Sequence, residues 1–424
     1  PFFSRRVGLA ATSSAPVPIM GGVKLAGRVG RYNLGFLTVN TDSDVDTPQT
    51  NFTVLRVSRD ILTRSNVGLL GVSKEPVGRD SLGDPNDPED DIHSNRTYGA
   101  DMNFSVLQNF KFGGSILETR TPGLGGGRGA GNAYATWTND TWRMELYYRD
   151  IGTNFNPEAG FVQRTGIEEV ETALGWSWRS DTALLRHLEP HTRFIYTMDQ
   201  DRQLATRRQH WGTTFEFRNG SEIEVAYNPL FDKIVGDPFV LRDDDGDPNT
   251  RGDNVEIRPG AYHPTQWLVL YQGDASRVLS GSTFIEFGGF FDGRYRSIDV
   301  NGTARISKHV RTVLGVNHTA IDLPSRPDDD PDPLISTAAG PSQFNTTLIQ
   351  GRLGVGFTTR IFFDALLQYN TAIEDFSSNL RFNYKYRPGS DIYVVYNERR
   401  DIEGVPTDKL DRSFTIKWTY LMAF

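Results

Sequence analysis

The chain has no cysteine in 424 residues. That excludes a disulfide framework and a thiolate metal site. It also lacks any run of about 18 consecutive apolar residues, so no membrane-spanning helix is expected. No signal peptide is visible, and Pro1 reads as the start of a processed or truncated chain. Positive charge is in deficit: the formal net charge is −8, which argues against a nucleic-acid partner. Histidine is sparse and scattered, with seven in all. Neither Gly-x-Ser-x-Gly nor His-Glu-x-x-His occurs, so no enzyme is expected; an outer-membrane hydrolase is the remote alternative. His187 and His191 stand four apart, a ligand spacing on a helix, but they border an expected strand. The glycine run Gly123 to Gly131 lacks Gly-Lys-Ser/Thr and an opening helix, so it reads as a flexible outer loop rather than a phosphate cradle.

Aliphatic residues are also scarce. Hydrophobic residues make up 37% of the chain, yet aromatics reach 12%. A soluble core is built the other way round. A thin lipid-facing shell with aromatic girdles and a polar interior fits this balance.

The dominant pattern has period two. In 141–150, Trp142, Met144, Leu146 and Tyr148 alternate with Arg143, Glu145, Tyr147 and Arg149. Successive strand side chains point to opposite faces, so this segment has one apolar and one charged face. The same holds for Leu380, Phe382, Tyr384 and Tyr386 against Arg381, Asn383, Lys385 and Arg387. Ile223, Val225 and Tyr227 likewise oppose Glu222, Glu224 and Ala226. At the end of the chain Phe414, Ile416, Trp418, Tyr420, Met422 and Phe424 share one face. That alternation, ending on an aromatic, resembles the carboxy-terminal insertion signal of outer-membrane barrels, carried here by Trp418, Tyr420, Met422 and Phe424.

The segments are about ten or more residues long, which suits a tilted membrane crossing better than a soluble sheet. Short connections such as Asn139-Asp140 and Asn219-Gly220 alternate with long ones such as 75–94, 152–164, 232–253 and 322–344. Short turns are periplasmic and long loops extracellular in such barrels, which places the carboxy terminus in the periplasm. The expected fold is all-β: a transmembrane, antiparallel, up-and-down β-barrel of about 22 strands, within 20 to 24. It occupies residues 1–424 as one domain, with 1–19 as first strand or as a segment in the lumen. The even count depends on taking Ser4 to Ala11 as the first strand.

Several stretches then point to a family. They are Phe2-Phe3-Ser4-Arg5-Arg6-Val7-Gly8, Val23-Lys24-Leu25-Ala26-Gly27-Arg28, Arg59-Asp60-Ile61-Leu62-Thr63-Arg64-Ser65-Asn66, and Gly152 to Val162, which reads GTNFNPEAGFV. Together they resemble a family of bacterial outer-membrane barrels without an established activity. The barrel there usually follows a domain similar to family-9 carbohydrate-binding modules, and that domain is not among these residues.

Two sets of residues are candidates for function. Asp243, Asp245, Asp247, Asn249 and Asp253 alternate through a glycine-containing loop, a spacing that suits calcium; a solvated acidic loop is the simpler alternative. Arg143, Glu145, Arg149, Glu222, Glu224, Arg381, Lys385 and Arg387 are expected to face the lumen, where charge selects solutes or merely solvates the wall. The expected function is a channel for small polar solutes, saccharides among them. The alternative is an occluded scaffold that anchors a periplasmic or cell-surface partner. Beyond calcium no cofactor is expected, and lipid is the expected surroundings.

Overall fold

A computed structural model describes residues 3–9, 16–43, 48–77, 94–236, 239–242, 255–324, 342–401 and 409–421. The chain divides into two compact units, Pro1–Trp176 with Thr192–Arg208, and Ser177–His191 with Gln209–Phe424.

The first unit opens with β1 (Ile19–Val29), β2 (Tyr32–Thr41), β3 (Thr50–Leu62), β4 (Ser65–Pro76) and β5 (Asn95–Val106). It continues with β6 (Phe110–Arg120), β7 (Gly129–Thr138), β8 (Trp142–Ile151) and β9 (Ile167–Trp176). Next come β10 (Trp178–Arg179), β11 (Leu185–Asp199), β12 (Leu204–Phe217) and β13 (Glu222–Ile234). A small hairpin follows, β14 (Phe239–Arg242) and β15 (Val255–Ile257), then β16 (Gly260–Tyr262), β17 (Thr265–Gln272), β18 (Leu279–Phe290) and β19 (Gly293–Arg305). The last strands are β20 (Val310–Leu323), β21 (Ser342–Gly356), β22 (Ile361–Asn370), β23 (Asp375–Arg387), β24 (Ser390–Asp401) and β25 (Lys409–Thr419).

Apart from β14 and β15, the strands belong to one 23-stranded sheet. Each long strand pairs antiparallel with its sequence neighbour, as β3 does with β4 and β19 with β20. The fold is therefore all-β, antiparallel and up-and-down. β10 prolongs β9 past Ser177, and β16 leads into β17 across His263 and Pro264, whose missing N–H interrupts the ladder to β13. Counting those two as continuations leaves 21 separate strands in that sheet among the described residues. Among the described residues, no helix is long and apolar enough to cross a membrane.

Two sequence expectations need correction. The described part of the expected first strand Ser4 to Ala11, residues 4–9, is not a strand. Ser4–Arg6 is a 3-10 turn, Gly8 sits at φ +86°, and Leu9 makes a single bridge to Pro16. Pro16 and Pro18 have no N–H to give a ladder, and Val7 packs against a cluster of Phe52, Val54, Val72 and Ala159. The run Gly123 to Gly131 is not wholly a loop, since Gly129 to Gly131 open β7 and pair with β6. Its Gly127 has φ +56°, and a Cβ on Gly152, which lies beside it, would fall 2.1 Å from the Gly127 carbonyl oxygen. The long connection expected over 152–164 is present between β8 and β9 and is folded in place, as shown below.

The turn signals are realised physically. Between β12 and β13, Gly220 adopts φ +84°, and the Asn219 side-chain oxygen accepts the Ser221 N–H at 2.9 Å.

Burial along the strands is the reverse of a soluble sheet. The apolar face is exposed: Leu25, Leu69, Ile116, Leu314, Ile416 and Trp418 each keep between 63% and 70% of their surface. The opposite face carries the polar groups and hides many of them: Thr97 and Thr119 are 1% exposed and Asn383 is 6%. A water-soluble sheet buries its apolar face and solvates the polar one.

Candidate functional site

The polar strand face is where function is sought first, because it covers polar groups and carries ion pairs such as Arg56–Asp101, Lys74–Glu158 and Arg149–Glu169. Within the second unit, the short-turn end of β19 to β23 encloses a cavity of about 540 Å³. Arg305, Lys308, Arg311, Arg381 and Lys385 line it, against a single carboxylate, Asp364. Arg381 stands 3.5 Å from Asp364 on the neighbouring strand, and the Lys385 ammonium lies 4.9 Å above the Phe362 ring. The Arg305 guanidinium reaches back to the Arg277 carbonyl at 3.1 Å. Cations in such excess give this end of the face a positive local potential.

Within the first unit the polar face is covered instead. The segment 152–166 lies along it. Phe155, 4% exposed, enters a cluster of Ile151, Ile167, Leu117, Ala130 and Val162. These residues supply apolar side chains on the face that is otherwise polar. The segment is also held by hydrogen bonds. The Asn156 N–H donates to Thr119 Oγ1 at 3.0 Å, Asn95 Nδ2 to the Asn156 carbonyl at 2.7 Å, and Asn154 Nδ2 to the Gly125 carbonyl at 2.7 Å. Lys74 Nζ and Glu158 Oε2 form a buried ion pair at 2.7 Å. The Phe3 N–H donates to the Ala159 carbonyl, so the amino-terminal segment joins the same cover.

The residues singled out in the sequence fall as follows. Arg143, Glu145 and Arg149 lie on the face of β8 opposite Trp142, Met144, Leu146 and Tyr148, and Arg149 pairs with Glu169 at 2.6 Å. Glu222 and Glu224 share the face of β13 that carries Ala226 and Asn228. Arg381 and Lys385 line the cationic cavity. Arg387 does not stay with them. The register shifts between Lys385 and Arg387 as the strand enters its hairpin. Past that bulge Arg387 stacks over the Tyr420 ring at 4.1 Å, where it also donates to the Leu421 carbonyl. A bulge re-aims a side chain in this way.

Trp418 and Tyr420 are exposed on one face, 6.2 Å apart, and the Trp418 indole N–H donates to the Tyr386 hydroxyl at 2.9 Å. Met422 and Phe424 lie outside the described residues, as do Asp243, Asp245, Asp247, Asn249 and Asp253.

Sequence reasoning missed one cluster. His191 on β11 and His210 on β12 converge with Glu224 on β13, all within the second unit. The partner of His191 is not His187, four residues away on the same strand; His187 pairs with Glu216 at 3.0 Å. The available signal was the period of two, which puts His191 on a polar face beside Glu189. The register that joins three strands cannot be read from spacing.

No known protein-family model matches the chain, and no curated protein matches it. Among solved structures, it is similar to the alcaligin outer-membrane receptor FauA from Bordetella pertussis, with a TM-score of 0.46 at 8% identity, covering 94% of this chain and 73% of that one. It is similar to BauA, the ferric preacinetobactin receptor from Acinetobacter baumannii, with a TM-score of 0.43 at 8% identity over 90% and 66% of the two chains. The copper transporter OprC matches with a TM-score of 0.48 at 10% identity, over 92% and 74%. Similarity at this level says nothing of what this chain carries.

Proposed function

We propose that the sheet closes into a barrel in the bacterial outer membrane and that its polar face lines a passage for small polar solutes. The observation that carries this is the inverted burial: large apolar side chains are exposed along the strands while threonine, asparagine and charged groups are covered on the other face. Lipid supplies the missing apolar environment, and antiparallel strands satisfy the backbone groups that lipid cannot. The short turns face the periplasm in this reading, so the cationic cavity is the periplasmic end of the passage. Its five cations against one carboxylate favour anionic solutes. Purified protein in a planar bilayer is expected to give discrete conductance steps with a reversal potential displaced toward anions.

A second reading rests on the covered region. Segment 152–166 and the amino-terminal segment occupy polar face that an open passage would leave to water. This favours a partly occluded barrel that anchors a periplasmic or surface protein. A silent but folded barrel in the same bilayer, with a stoichiometric partner isolated from native membranes, would select it.

A further inference from the structure

We propose that His191, His210 and Glu224 form a binding site for one borderline divalent metal ion, with zinc the best match to two imidazoles and a carboxylate. The proposal is independent of whether the polar face conducts.

The first ground is distance. His191 Nε2 lies 3.0 Å from His210 Nε2, and Glu224 Oε1 lies 3.5 Å from the first and 3.2 Å from the second. Four ligands placed tetrahedrally at about 2.0–2.1 Å from zinc stand about 3.3–3.4 Å apart. The three atoms already have the separations of a ligand triangle.

The second ground is the proton inventory. His191 Nδ1 is 3.1 Å from the Glu189 carbonyl oxygen, which can only accept, so Nδ1 carries the proton. His210 Nδ1 is 2.8 Å from Asn228 Oδ1 and donates in the same way. Each neutral imidazole then points a lone pair from Nε2 at the other and at a carboxylate oxygen. With both rings neutral, three acceptor atoms meet at one point, and either a proton shared with Glu224 or a cation can hold them there. Fixing the tautomer of a ligating histidine through its far nitrogen is how metal sites orient their imidazoles.

The third ground is room. The residue beside both rings is Gly212, where a Cβ would fall 2.6 Å from His191 Nε2 and 2.6 Å from His210 Nε2. Any larger residue would intrude on the ligand atoms. The rings stack at 5.1 Å, and all three side chains remain partly accessible, so an ion can reach them. Three protein ligands leave a coordination position open toward the polar face. The ion would cross-link three consecutive strands.

The test uses tag-free protein, folded in detergent, stripped with a chelator and titrated calorimetrically with zinc alone. One equivalent is expected at micromolar affinity or tighter. His210→Ala and Glu224→Gln are expected to weaken binding at least a hundredfold, and Asn228→Ala about 10–100-fold through the lost orientation of His210. His187→Ala is expected to leave it unchanged. Should a ligand variant fail to fold, cobalt(II) added to folded Gly212→Ala reads the same site: the visible ligand-field band of the wild type is expected to shift or vanish. Wild-type protein that takes up no zinc at millimolar concentration overturns the proposal, as does binding that persists in a folded His191→Ala, His210→Ala double variant.

Discussion

The two units build strands by one rule and treat the polar face in two ways. In the first unit, the face carries Leu117, Ile151 and Ile167 where alternation alone would put polar groups, and segment 152–166 docks on them through Phe155. In the second, the face at the short-turn end keeps Arg305, Arg311, Arg381 and Lys385 around an open cavity. A strand with apolar residues on both faces thus marks covered wall, and strict alternation marks wall left to water. The long-loop end of the second unit supports the same rule: Ile257 of the β14–β15 hairpin is 1% exposed against Ile321 and Leu323, and both of these sit on the otherwise polar parity of β20.

The largest effect is expected where the cover is pinned. Glu158→Ala removes the carboxylate 2.7 Å from Lys74 and leaves a buried ammonium, at a cost of about 3–5 kcal/mol. The urea midpoint should fall accordingly, and Lys74→Met with Glu158→Leu should restore most of it. Phe155→Ala empties the apolar pocket at a cost of about 3–5 kcal/mol, which is at least a hundredfold in the open population. Trypsin cleavage after Arg164 should rise by that factor; unchanged cleavage would mean the segment is held by its hydrogen bonds alone.

On the exposed face, Leu314→Arg puts a charge into the lipid at about 2–4 kcal/mol. The same residue placed at Thr303, on the opposite face of the neighbouring strand, should cost under about 1 kcal/mol. Equal costs at the two positions would dissolve the distinction between faces. Smaller still is the cavity's own charge: Arg381→Glu with Lys385→Glu should lower the anion-over-cation permeability roughly twofold or more, without a change in folding.

The smallest effect lies in a turn outside the strands. Asp274 accepts the Ser276 backbone N–H at 2.8 Å and the Arg277 guanidinium at 3.1 Å, and these hold its carboxyl below the usual aspartate range. A depressed acid stabilises the folded state above its unfolded pKa, and that contribution disappears as pH falls through the folded value. Thermal melts of wild type and Asp274→Asn should therefore differ slightly near neutral pH and converge below about pH 3.

Much of this was legible in the residues. The period of two located β8, β13, β23 and β25 and assigned their faces, because a strand face is a local property of parity. Asn219-Gly220 named its turn because only a residue tolerant of positive φ fits there. What needed three dimensions was everything set by register. A bulge moved Arg387 from the charged face to Tyr420. Two prolines and a positive-φ glycine turned an expected first strand into a docked segment. The convergence of His191, His210 and Glu224 depends on how three strands slide past one another, and no spacing in the chain encodes that distance.

The most direct test of the polar face as a passage is single-channel conductance of the folded protein in a planar bilayer, compared with Phe155→Ala. Discrete steps in the wild type, larger in the variant as the cover loosens, with anions preferred, are the expected result. A folded, inserted barrel that stays silent in both forms would contradict it.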